Sequence, residues 1–173
     1  QAIVETVERA SEAYGLRHGP IHAELRLSPD GPCILEVAAR SIGGLCSRTL
    51  RFGAGLTLEE ILIAHAVDLP IASVRRERRA SGVMMLPIPR AGVLRGVAGV
   101  EDARAVPGVE DVVVTAEVGR QVEPLPEGDA YLGFVFAKGD EPAEVEAALR
   151  AAHARLRFEI TPRLPLASAA AGP

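Results

Sequence analysis

Two short alternating runs on either side of a proline–glycine turn constrain this chain more than anything else in it. In residues 20–27, Ile21, Ala23, Leu25 and Leu27 alternate with His22, Glu24 and Arg26. In residues 33–40, Cys33, Leu35, Val37 and Ala39 alternate with Ile34, Glu36, Ala38 and Arg40. Between them Ser28-Pro29-Asp30-Gly31 supplies turn chemistry, proline fixing φ and glycine permitting a positive one. Period-two alternation flanking a turn predicts a β-hairpin. If Pro29, Asp30 and Gly31 form the loop, His22 faces Ala38, Glu24 faces Glu36, and the two polar faces coincide. A one-residue slip would set each acidic face against an apolar one, so the pattern itself favours this register.

Directly opposed like charges cost about 0.2–1 kcal/mol on a wet surface. Under cover the penalty grows, and a proton or a cation relieves it. The residues leave three readings open. Both carboxylates are solvated, with Arg26 and Arg40 as neutralisers; or they share a proton and do general acid–base work; or they share a divalent cation. Hard ions such as Mg²⁺ take one or two carboxylates together with substrate phosphates.

The rest of the chain organises around this hairpin. Ile3, Val4, Val7, Ala10 and Tyr14 recur at helical spacing, with Gly15 as a stop. The chain opens on Gln1 inside that pattern, without an initiator Met, and is expected to be part of a longer protein. After Ser41-Ile42-Gly43-Gly44 a short helix is expected through Leu50. A second helix enters at Thr57, with Glu60 as its capping-box partner and Leu56 placed to staple against Ile61. It should run to about Asp68, where Pro70 ends it. Arg75, Arg76, Arg78 and Arg79 with Glu77 read as a solvated linker over 73–80. Beyond it, 82–88, 93–98, 109–116 and 131–137 read as strands and 99–105 as a short helix. Asp140 is expected to cap a helix through about Leu156 with Val145, Ala148, Leu149 and Ala152 on one stripe, and Leu156–Ile160 to form a last strand. Residues 1–72 and 81–161 are thus the expected domains, with a mobile tail over 162–173.

Composition removes several function classes. A net charge of −4 without a basic surfeit argues against nucleic-acid binding. No stretch approaches the roughly 20 apolar residues of a membrane helix, and no signal peptide is visible; no membrane association and a cytoplasmic location are expected. With no Trp, the core must be built from Val, Leu, Ile and Ala. Cys33 and Cys46 lack C-x-x-C spacing and read as buried structural thiols. His65 reads as a packed residue and His153 as a partner of its helix's C-terminal dipole. The glycines of 92–99 lack the context of a dinucleotide fingerprint.

The stretch His22-Ala23-Glu24, the turn, then Glu36-Val37-Ala38-Ala39-Arg40-Ser41-Ile42-Gly43-Gly44 resembles the ATP-grasp superfamily, in which an H-x-E strand and an E-x-N-x-R strand line the Mg·ATP site. The resemblance implies an α+β fold: the C-terminal lobe of an ATP-grasp domain, an antiparallel sheet with flanking helices, followed by a small α+β domain. It implies that Glu24 and Glu36 bind Mg²⁺ or Mn²⁺, and that Arg40 holds the transferring phosphoryl group or a carboxylate substrate through its bidentate fork. His22 would face the phosphates, and Gly43 and Gly44 would let backbone approach anionic groups. Ala38 replaces the family's Asn and cannot coordinate. The form E-x-A-A-R before glycines is similar to the branch that includes L-amino acid ligases, and residues 92–115 and 131–155 look like the small domain those ligases carry.

The implied activity is ATP-dependent ligation of a carboxylate to an amine through an acyl phosphate, with ATP and small carboxylate and amine substrates as partners, and a homodimer among the expected assemblies. The sequence holds one lysine, Lys138, in the second domain, whereas the family holds nucleotide phosphates with lysines on earlier strands. The substrates would therefore be held with an N-terminal part not in this sequence, and the chain alone is expected to be inactive. Two alternatives stand beside this: an ATP-grasp ligase of purine-biosynthesis or carboxylase type, and a non-catalytic α+β binding or assembly module with merely solvated acids.

Overall fold

The computed structural model describes residues 1–53, 55–71 and 74–162; all but the first residue of the tail read from Pro162, and part of the linker, lie outside the described residues. The chain forms two compact units, Gln1–Arg78 and Arg79–Pro173. Among the described residues no helix is long and apolar enough to cross a membrane.

The first unit opens with α1 (Ala2–Ala13). Gly15, at φ 72°, ends it: its N–H bonds Glu12 O at 2.9 Å and Leu16 N–H bonds Ser11 O at 2.9 Å. These paired bonds satisfy the last carbonyls of the helix in the way a glycine just past the C-cap allows. Helix α1 packs against the hairpin formed by β1 (His22–Ser28) and β2 (Gly31–Ala38), yet buries no residue fully, and Ile3, Val4 and Tyr14 stay exposed. A 3₁₀ turn (Cys46–Thr49) stands where a short helix was expected, and α2 (Leu58–Ala66) follows. Thr57 caps α2 as anticipated: Glu60 N–H donates to Thr57 Oγ1 at 3.1 Å, and Thr57 N–H to Glu60 Oε2 at 2.8 Å. The helix stops two residues before Asp68. Leu69 N–H bonds Ala64 O at 2.8 Å, and Asp68 takes the left-handed conformation at φ 55°, so this turn rather than Pro70 ends it.

Residues 75–77 are tied to the first unit by their backbone. Gly53 N–H bonds Arg75 O and Glu77 N–H bonds Arg51 O, each at 2.9 Å, around an antiparallel bridge between Phe52 and Arg76.

The second unit is mixed α+β with two three-stranded antiparallel sheets. One has the order β3-β7-β5, from β3 (Ala80–Leu86), β7 (Gly133–Gly139) and β5 (Val109–Val114). The other has the order β6-β4-β8, from β6 (Gln121–Val122), β4 (Gly92–Ala98) and β8 (Arg157–Thr161). The two-residue β6 has no counterpart in the sequence pattern. Helix α4 (Pro142–Arg155) packs on β7 and β3, and α3 (Val100–Arg104) on α4 and β5. The N-cap of α4 is Glu141, not Asp140. Pro142 lacks an N–H and takes the first helical position, where none is needed; that puts Glu141 at the cap, paired with Glu144 in a reciprocal box. Val145, Ala148, Leu149 and Ala152 form the buried stripe read from the sequence.

Core formation is unequal. Leu86, Leu94, Leu132, Ile160, Val112 and Val135 of the second unit are less than 2% exposed. Each such burial is worth about 1.5–3 kcal/mol. In the first unit only Ile61 and Ser47 among the described residues are buried.

Candidate functional site: the acidic hairpin and its glycine strap

The hairpin brings Glu24 opposite Glu36 and His22 opposite Ala38, the register expected from the alternating faces. The route to it differs. Ser28 pairs with Gly31, Leu27 with Pro32, Arg26 with Cys33 and Leu25 with Ile34, so Pro29 and Asp30 alone lie beyond the last pair. A bulge then restores the register: the ladder shifts between Glu24 and Leu25, leaving Leu35 without a partner.

Two assignments change with it. Ile34, placed from the pattern on the polar face, is half-buried opposite Leu25, while Leu35 is 65% exposed. Cys33, expected to be a buried thiol, is exposed opposite Arg26; Cys46 is half-buried. The physical reason is the extra residue, which inverts the alternation between the turn and the bulge.

The acidic pair is half in water, with side-chain exposures of 52% for Glu24 and 50% for Glu36. Each carboxylate has its own nitrogen partner. His22 Nε2 lies 3.1 Å from Glu24 Oε1, and Arg40 Nη2 lies 3.4 Å from Glu36 Oε1. His22 is the more covered of the two nitrogen donors, at 21% against 52% for Arg40. Arg40 also donates from Nη1 to Ser41 O at 3.1 Å, which folds its guanidinium back over the strap that follows β2. That strap, residues 41–45, has no helix or strand. A Cβ on Gly43 would meet Arg40 Nη1 at an ordinary 3.7 Å, so space does not demand glycine there. At Gly44 the backbone favours glycine, since its φ is 63°.

His22, Glu24, Glu36, Arg40, Gly43 and Gly44 therefore lie on one hairpin end and the strap leaving it. Among the described residues no group of three or more His, Cys, Asp or Glu side chains gathers to hold a metal ion unaided. Two facing carboxylates fit a hard cation whose remaining ligands are oxygens of water or phosphate, and Ala38 adds no donor. In the second unit, a cleft of about 380 Å³ lined by residues including Thr115, Arg120, Glu123, Asp129 and Tyr131 contains none of these side chains. Lys138 is 20% exposed and pairs with Glu110 at 3.4 Å.

Sequence reasoning did not single out Ser47 and Glu59. Ser47, buried in the 3₁₀ turn, is the main cause of the Glu59 carboxyl lying below the usual glutamate value. Nothing in a period-two or period-3.6 pattern signals such a pair.

Two family models match the chain: the ATP-grasp domain over residues 1–49 and the L-amino acid ligase C-terminal domain 2 over residues 84–161. Among curated proteins, the uncharacterized protein y4rH of Sinorhizobium fredii is 27% identical over 161 residues, covering 92% of this chain and 33% of that protein. Carnosine synthase 1 of Gallus gallus is 37% identical over 98 residues, 54% of this chain and 10% of that protein. The chain thus spans a third or less of these relatives. Among solved structures, an L-amino acid ligase from Bacillus licheniformis matches with a TM-score of 0.74 at 26% identity, over 92% of this chain and 40% of that one. A phosphoribosylglycinamide synthetase from Anaerococcus prevotii (TM-score 0.72, 12% identity, 90% of this chain and 40% of that one) shares the fold. So does an N5-carboxyaminoimidazole ribonucleotide synthetase from Thermotoga maritima (0.67, 17%, 91% and 41%). Residues 1–49 thus match the ATP-grasp domain and residues 84–161 the second C-terminal domain of L-amino acid ligases, and the described fold is shared with an L-amino acid ligase.

Proposed function

We propose that the protein carrying this chain is an ATP-dependent carboxylate–amine ligase that makes a dipeptide-type amide bond, and that Glu24, Glu36 and Arg40 form its metal- and phosphate-handling half. The observation that carries this is the register: Glu24 directly faces Glu36, with Arg40 on Glu36 at the start of a strap containing a left-handed glycine. The names of two similar proteins, an L-amino acid ligase and a carnosine synthase, support amino-acid substrates.

Glu24 and Glu36 would hold Mg²⁺ or Mn²⁺, and His22, bonded to Glu24, would orient that carboxylate. The bound ion would supply Lewis-acid stabilisation of phosphate oxygens. The guanidinium of Arg40 would bind the γ-phosphoryl group, and the backbone at Gly43 and Gly44 would approach it closely. The substrate carboxylate attacks that phosphorus and displaces ADP, giving an acyl phosphate. The amine then attacks the acyl carbon, phosphate leaves, and the amine's proton goes to solvent or a base. Positioning and electrostatics do most of this work.

The 173-residue chain alone is expected to turn over no ATP, since its one lysine is in the second unit and paired with Glu110. In the longer protein, Glu36→Gln should lower ATP-dependent phosphate release by about 100-fold or more. Near-normal release in that variant would remove Glu36 from the site. A panel of amino acids and other carboxylates in the same assay separates dipeptide-type ligation from an ATP-grasp ligase of purine-biosynthesis or carboxylase type. Silence across the panel favours a non-catalytic module.

A further inference from the structure

The second unit carries a cleft that the proposed reaction does not use. Its volume is about 380 Å³, within the size range of small-molecule sites, and every residue lining it belongs to that unit.

Backbone bonds fix its walls. On one side the turn over 117–120 is tied to β4, with Gly119 N–H on Leu94 O at 2.7 Å and Leu94 N–H on Arg120 O at 3.0 Å. Val122 of β6 pairs with Gly92 of the same strand. On another side Thr115 N–H and Ala116 N–H both reach Leu132 O, at 3.1 and 3.2 Å, next to Tyr131. A third wall is the turn closed by Gly128 N–H on Pro124 O at 2.8 Å. A Cβ on Gly128 would overlap Glu123 O, so this turn admits no side chain there, and Glu123 and Asp129 flank it. A cleft framed in this way has little freedom left to lose when it fills.

The lining joins apolar surface to unbalanced charge. Ile88 and Val122 are buried, at 8% and 9% exposure. The charged lining residues are Glu117, Glu123, Asp129 and Arg120, a net charge of −2. Arg120 Nε lies 3.3 Å from Glu117 Oε2, which offsets both. Among the described residues neither Glu123 nor Asp129 has an ion-pair partner. Such a lining repels anions. It does not suit a metal ion either: among the described residues the acids do not gather as a metal-holding group, and apolar walls offer a hard cation no ligand. Tyr131 adds an aromatic ring, whose face attracts organic cations.

We propose that this cleft binds a small organic amine in its ammonium form, with Glu123 and Asp129 holding the charge and Ile88, Val122 and Tyr131 taking the apolar part. The site stands apart from the acidic hairpin and does not depend on the reaction proposed for it.

The test is an amide-shift titration of the 173-residue chain near neutral pH with phenethylamine, beside its neutral analogue 2-phenylethanol and the anion phenylacetate. Phenethylamine should shift amides over 115–131 saturably, 2-phenylethanol should bind about tenfold more weakly, and phenylacetate should leave those amides unmoved. Glu123→Gln with Asp129→Asn should weaken phenethylamine about tenfold, the worth of two part-exposed ion pairs, and leave 2-phenylethanol unchanged. The absence of saturable shifts with phenethylamine overturns the proposal. So does equal binding of 2-phenylethanol, which would make the cleft merely apolar. Magnesium chloride reproducing the same shifts at the same concentration would reduce it to an acidic surface and overturn it as well. The ligand series decides without any variant, so a double variant that fails to fold leaves the proposal open to refutation.

Discussion

Deleting Leu35 tests the hairpin's construction directly. Ile34 pairs with Leu25 and Glu36 with Glu24, so Leu35 is the surplus residue between two settled pairs. Its removal should convert the bulged ladder to a regular one while keeping Glu24 against Glu36. The energetic terms are small and opposed. With 65% of Leu35 exposed, only about a third of a burial worth ~1.5–3 kcal/mol is lost, or ~0.5–1 kcal/mol. Against this, one fewer residue needs ordering, at ~1–2 kcal/mol of backbone entropy. The net change should lie between about 0 and ~1.5 kcal/mol in favour of the folded state. Cross-strand NOEs between residues 24 and 36 and between 25 and 34 should persist, with the thermal midpoint unmoved or raised. Deleting Val37 is the control: it leaves the bulge, slips Ala38 against Ala23 and turns Arg40 to the other face, and should be the more damaging. If removing Leu35 abolishes the 24–36 contact, the bulge is a structural requirement and the account of the register is wrong.

Three further outcomes are expected. Leu132→Ala, at a side chain with no exposure, should destabilise the second unit by about 2–5 kcal/mol in denaturant titration; a loss under about 1 kcal/mol would contradict its place in the core. Asp68→Gly should stabilise the end of α2 by up to ~1 kcal/mol, because φ 55° strains any residue with a Cβ; a loss of stability would show that the Asp68 side chain matters more than its backbone. Ser47 and the Thr57 N–H hold the carboxyls of Glu59 and Glu60 below the ordinary 4.5. A lowered folded pKa contributes stability above the unfolded value and loses it as pH falls through the folded one. Amide shifts in the first turn of α2 should therefore titrate with midpoints below 4.5. Titration centred above 4.5 would contradict both causes.

Features set by one residue's own chemistry were the legible ones. Gly15 ended α1, the Thr57–Glu60 spacing started α2, and α4 buried the stripe its periodicity showed. The facing of Glu24 and Glu36 was legible because two polar faces had to coincide. The bulge was not. Cys33, Leu35 and Val37 alternate smoothly as letters, and nothing in them marks where a ladder gains a residue, so Cys33 and Leu35 were assigned to the wrong face. The pairing β6 makes with β4 spans nearly thirty positions through two residues, too short for any period. Asp140 and Glu141 are both acidic, and only the place of Pro142 decides which one caps α4. Ser47, buried in the 3₁₀ turn, acts on Glu59 twelve residues away across an irregular segment, which no periodic signal covers.

The scarcity of buried side chains in the first 78 residues bears on how variants of this chain can be screened. A library sorted by solubility or thermal survival reports damage to a packed interior, and among the described residues that interior belongs almost wholly to the second unit. Substitutions at His22, Glu24, Glu36 or Arg40 would pass such a sort unnoticed. Tolerance at those positions would measure only how little they contribute to folding, and selection for the activity proposed above is the screen that can see them.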